Sequence, residues 1–182
     1  MKQTKKITFS AMSIALGVLF MTLGYFIEVF DLTVSALCSV LMVFVFIEIG
    51  APYTFLVWIG TSILGALFFT GSLAWGSYFL VFGIYPILKA YIERTKRIFW
   101  IPIKLIEFII SGAALIALSE YVLGIPFFGE VNIPLLEGKE IIYKIFVFVA
   151  MIVAFFLYDI CLTFAVRFYF SNFRKRISSL LK

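Results

Sequence analysis

Histidine is absent from all 182 residues, which excludes imidazole proton relays, Ser-His-Asp chemistry and His metal ligands. Cysteine occurs only at Cys38 and Cys161, each deep in an apolar segment. That placement points to small core packing and away from a disulfide or a metal site. Charge is scarce at 14%, where an ordinary soluble domain carries about 25%. A cytosolic globular protein is thereby excluded. No G-x-x-x-x-G-K-[ST] phosphate loop is present, so the chain cannot energise transport by itself. The polar–apolar alternation of membrane barrel strands is missing too.

What remains is apolar: 64% hydrophobic residues and a mean hydropathy of +1.14. At about 20 residues per crossing, the length holds at most six or seven membrane helices and no soluble catalytic domain. We expect one integral membrane domain over 1–182, an all-α bundle of six transmembrane helices. Residues 7–27 are uncharged and follow Lys2, Lys5 and Lys6. They outrun the roughly 7–15 apolar residues of a signal peptide, so a retained first helix is expected. Span two is 32–49, after Glu28 and Asp31. Residues 49–88 then run without a charge for about twice the hydrocarbon thickness. They must turn once, at Thr70-Gly71-Ser72, giving spans 53–70 and 74–92, with a kink expected at Pro86. Pro102 and Gly124 bracket span five, 103–124. An outer loop, 125–142, precedes span six, 143–168.

Six spans place both termini on one side. Thirteen of the 15 Lys and Arg residues fall there, and only Lys139 and Lys144 fall opposite. The excess of basic residues predicts that both termini are cytoplasmic. The same clustering at span ends argues against a nucleic-acid partner. The partner it implies is the lipid bilayer.

Ala11 and Ala15 lie four residues apart on one face of the first span, with Ser10 and Ser13 nearby. Such spacing lets another helix backbone approach closely, within the bundle or outside it. A short basic start followed by this A-x-x-x-A resembles the substrate-binding S components of energy-coupling factor (ECF) transporters. Asp31-Leu32-Thr33 and Glu48-Ile49-Gly50-Ala51-Pro52-Tyr53 are similar to that family's first outer loop and its first cytoplasmic turn. The likeness covers the layout of most of the chain and the residue pattern of about the first 65 positions. It implies a non-enzymatic subunit, without cofactor, of a bacterial plasma membrane. That subunit would bind a vitamin-like small molecule and work with a scaffold subunit and an ATPase pair. Metal-importing relatives use an N-terminal histidine, so nickel and cobalt are disfavoured. By the same resemblance, Ala11 and Ala15 would dock the scaffold.

Ionisable groups inside spans are functional candidates. Glu120, Tyr121, Tyr143 and Lys144 are expected at one depth near the outer surface, with Trp75 and Tyr78. Together they are candidates for an aromatic-walled ligand cup. The alternative is an interfacial aromatic belt with Lys144 snorkelling to water. The apolar 125–142 loop is a candidate lid over that cup. Lys104 at i−3 is the expected partner of Glu107. Asp159 lies about 12 Å from Arg167 along the helix, Lys89 is a second candidate partner for either carboxylate, and structural ion pairs are the expected role of both. The small residues Gly112, Ala113, Ala114 and Ala117 read as tight helix packing. Two other functions remain open: a stand-alone small carrier or channel, and a non-transport membrane scaffold protein. An intramembrane enzyme is disfavoured, since no nucleophile–base pair is visible.

Overall fold

A computed structural model describes residues 3–27, 30–124 and 140–173. Six helices are long and apolar enough to cross a membrane, and no strand occurs among these residues. Helix α1 spans Gln3–Phe26, α2 spans Asp31–Ile49 and α3 spans Ala51–Phe68. The fourth span combines α4 (Leu73–Ser77), a π-helical turn (Tyr78–Phe82) and α5 (Tyr85–Ile92). Helix α6 covers Trp100–Ala117 and passes into a second π turn, Leu118–Val122. Helix α7 covers Glu140–Phe168. The chain is thus an all-α six-helix bundle of membrane-spanning type. The outer loop and candidate lid lie, over 125–139, outside the described residues.

The turns follow from their residues. Gly50 alone separates α2 from α3, at φ 90°, a conformation that L side chains rarely adopt. Pro52 then starts α3, where its missing N–H costs nothing. Gly71, also at positive φ, turns the chain between spans three and four, and Ser72 caps α4 by accepting the Ala74 N–H at 3.1 Å.

In a bilayer helices associate through close backbone approach and interhelical polar contacts. Helix α1 packs with the stripe Ser10, Ser13, Gly17, Met21 and Gly24. The Cys38 thiol reaches the Gly17 carbonyl at 3.5 Å, and a Cβ at Gly17 would lie 3.0 Å from a Thr61 methyl. Ser77 donates to Ser35 at 2.8 Å, and Ser35 donates to the Ala74 carbonyl at 2.7 Å, tying α2 to α4. Helix α2 is central and contacts α1, α3, α4, α5 and α7. Its Met42 side joins a core with Met21, Val57 and Tyr78, and its Val43 side joins a second with Tyr85, Phe108, Phe155 and Leu162.

Three expectations are corrected. Cys38 is buried, but Cys161 is exposed on α7. A Cβ at Gly112 would meet nothing within 4 Å, and Ala113 and Ala117 are exposed, so this stripe is not a tight contact. The fourth span is broken and not merely kinked. Pro86 opens a new helix, and the residues before it wind as a π turn.

The topology yields a first prediction. Lys96 and Thr70 are exposed at opposite ends of the bundle. With Cys38 and Cys161 replaced by Ala, Lys96→Cys should react with impermeant maleimide only from the cytoplasmic side, and Thr70→Cys only from the other. Equal labelling from one side would overturn the arrangement.

Candidate functional site: an intramembrane ion cluster

The break in the fourth span aims α5 at α6 and α7 near the end of the bundle that holds the basic loop Arg94-Thr95-Lys96-Arg97. Tyr85, Lys89 and Glu93 recur every four residues, so they share one face of α5. Tyr85 is fully buried and donates to Asp159 of α7 at 2.6 Å. The Lys89 ammonium pairs with the Asp159 carboxylate, and also reaches the Asp159 carbonyl at 2.8 Å and Thr163 at 2.7 Å. Lys104 of α6 donates to Asp159 at 2.8 and 3.0 Å and to Glu93 at 3.0 Å. Lys89 lies 3.3 Å from Glu93. One aspartate therefore holds two buried ammonium groups, and three helices are locked at one point. An apolar cavity of about 180 Å³ borders Lys89 and Glu93, lined by Val43, Ile47, Pro86 and Leu162 among others.

Neighbouring groups extend the cluster toward α2. Pro86 has no N–H, which leaves the Phe82 carbonyl without its helical donor. The Tyr158 hydroxyl stands 3.5 Å from that carbonyl and donates to Ser39 of α2 at 2.7 Å. The Phe82 and Tyr158 rings meet edge to face at 4.9 Å. Trp58 donates to the Phe79 carbonyl of the π turn at 3.2 Å and stacks on the Phe79 ring.

The expected pairings change. Lys104 does not serve Glu107; it turns to Glu93 and Asp159 across the helix interface. The Glu107 Oε2 atom is buried and has no hydrogen-bond partner. Asp159 takes Lys89 and Lys104 in preference to the distant Arg167. Sequence reasoning passed over Tyr85, Glu93, Tyr158 and Thr163. The fourfold spacing of Tyr85, Lys89 and Glu93 was the available signal, obscured because Glu93 reads as the start of a loop.

The candidate cup residues lie apart in character. Trp75 is half-buried and donates to the Ser62 carbonyl at 2.8 Å. Tyr78 is buried in the core, its hydroxyl on the Met42 sulfur at 3.4 Å. Glu120 and Tyr121 are exposed on the π turn after α6, and Tyr143 is half-buried on α7. The Lys144 side chain lies outside the described residues. Ala11 and Ala15 are exposed and point away from the Ser10–Ser13–Gly17 packing stripe. Ala15 lines an apolar groove of about 520 Å³ between α1 and α2, with Met12, Leu16, Leu41 and Phe44.

No family model, curated protein or solved structure matches the chain. Among the described residues, no group of His, Cys, Asp or Glu is placed to hold a metal. The site is therefore read on its own chemistry: a neutralised ion cluster at a helix break, with one carboxylate left over.

Proposed function

We propose that this chain is a substrate-binding membrane subunit for uptake of a vitamin-like small molecule, powered by a separate scaffold and ATPase pair. It binds its substrate and does not transform it. The observation that carries this reading is the outward Ala11/Ala15 face. Internal packing of α1 is already supplied by Ser10, Ser13, Gly17, Met21 and Gly24, so the A-x-x-x-A surface is left for an external helix. Trp75, Glu120, Tyr121, Tyr143 and Lys144 remain the candidate ligand contacts, toward the end of the bundle opposite the ion cluster. Tyr78 would contribute from behind them, through packing.

The test is affinity purification from native membrane. The wild-type chain should bring a scaffold and an ATPase pair with it. Ala11→Leu with Ala15→Leu should lower that recovery at least about tenfold, equivalent to about 1.4 kcal/mol of association. The isolated chain should keep its thermal midpoint, because neither alanine is in the bundle interior. Absence of any ATPase with the wild-type chain would defeat the proposal.

A stand-alone carrier is the second reading, favoured by the break in the fourth span. Interrupted helices near the middle of a membrane commonly form transporter sites, where freed backbone groups face a substrate or ion. Uptake into vesicles holding the purified chain alone would support this reading over the first.

A further inference from the structure

Four ionisable groups pair where α5, α6 and α7 converge, and a fifth, Glu107, lies at i+3 from Lys104 on α6. Glu93, Glu107 and Asp159 bring three carboxylates, against the two ammonium groups of Lys89 and Lys104. Both ammonium groups are fully engaged with Glu93 and Asp159. Among the described residues, these five groups are one positive charge short, and the shortfall falls on Glu107. Its Oε2 is buried without a partner, inside a membrane-spanning segment. An ionised carboxylate left so in an apolar medium is strongly disfavoured.

Among the described residues, no nearby donor is free to serve it. Lys104, one turn away on α6, faces Glu93 and Asp159. Ser111, one turn the other way, donates to the Phe108 carbonyl at 3.3 Å. Tyr85 of α5 and Tyr158 of α7 both lie within electrostatic reach of Glu107. Their hydroxyls are directed to Asp159 and Ser39. Helix α2 contributes Ser39 and, near its end, Glu48, whose carboxylate accepts from the Tyr169 hydroxyl just after α7. A metal cation would demand several oxygen ligands, and those within reach are already committed. The smallest cation needs only one oxygen.

We propose that Glu107 is a proton-binding site within the membrane, and that its proton decides which carboxylates hold Lys104. With the proton bound, Glu107 is neutral and Lys104 stays on Glu93 and Asp159, the arrangement seen here. With the proton released, the new carboxylate stands at i+3 from Lys104, within reach on the same helix face. It then draws the ammonium away from Asp159 and loosens the junction of α5, α6 and α7. The inference rests on neither reading of transport, since it concerns the charge balance of the bundle itself.

Dicyclohexylcarbodiimide tests it directly. This apolar reagent takes up a protonated carboxyl in a membrane: the acid adds across one C=N bond to give an O-acylisourea, and the acyl group then shifts from oxygen to nitrogen to leave a stable N-acylurea. The full chain is treated in detergent or lipid vesicles at neutral pH, digested, and mapped by mass spectrometry. The adduct should appear at Glu107 and not at Glu93 or Asp159, and it should be lost as the pH is raised. Glu107→Gln should abolish it. The wild-type map alone decides the case if that variant fails to accumulate. An unmodified Glu107, or an adduct distributed equally over the three carboxylates, overturns the proposal. Infrared spectroscopy gives a second readout: the C=O band of a protonated carboxyl should be present at neutral pH and disappear on alkalinisation. A spectrum without that band counts against the site.

Discussion

Replacing Asp159 with Ala is expected to destabilise the chain by about 3–5 kcal/mol, the cost of removing one partner from a buried ion pair. The carboxylate is 14% exposed, and the two lysine side chains it holds are each 6% exposed. Its loss leaves Lys89 and Lys104 sharing Glu93, which is a third exposed and weaker as a partner. Tyr85 loses its acceptor in the same change. The count of charges also defines the repair. Combining Lys104→Met with Asp159→Asn removes one charge of each sign and leaves Lys89 with Glu93. The double variant should recover most of the loss, because replacing a whole buried pair is often close to neutral. Thermal unfolding in detergent would measure both variants. Equal losses in the single and the double would show that the Asp159–Lys104 pair is not the unit that matters.

The six spans were legible because continuous apolar runs and a basic bias leave few alternatives at this length. Their ends were less so. Helix α1 begins at Gln3, ahead of the expected 7, because Lys5 and Lys6 continue the helix past the apolar stretch. Helix α6 begins at Trp100, ahead of the expected 103, with Pro102 in its first turn as its missing N–H favours. The rotation of each helix was the real gap. Spacing showed that Ala11 and Ala15 share a face, but not whether that face turns in or out. The adjoining Ser13–Gly17 pair, with the same fourfold spacing, is the one that packs inward. Likewise the sequence put Lys104 and Glu107 on one stripe of α6, yet local spacing cannot show a stronger partner across an interface. Asp159 lies 55 positions away, and only the fold brings it to Lys104. Hydropathy sets Trp75 and Tyr78 at the start of the fourth span. The direction of Tyr78 depends on packing against Met42, which no run of residues along one helix reveals.

Gly17→Leu and Ala15→Leu are expected to behave in opposite ways, although only one residue separates them. At Gly17 even a Cβ comes within 3.0 Å of the Thr61 methyl and 3.3 Å of its hydroxyl oxygen. Thr61 is 1% exposed and belongs to α3, so it cannot retreat without moving that helix. Three further carbons at Gly17 would push α1 away from α3 and from the Cys38 thiol on α2. Overpacking of a well-filled interior costs about 1–3 kcal/mol, and loss of the close helix approach adds to it in a bilayer. The Gly17 variant should therefore show a lower thermal midpoint or fail to accumulate. Ala15 is exposed beside the groove of Met12, Leu16 and Leu41, where a larger side chain has open space to occupy. Its variant should unfold at the wild-type temperature. If Ala15→Leu destabilises the isolated chain as much as Gly17→Leu, then the A-x-x-x-A face packs within the bundle. An external helix would in that case have no surface on α1 to dock against, and the reading of this chain as a partnered subunit would lose the observation that carries it.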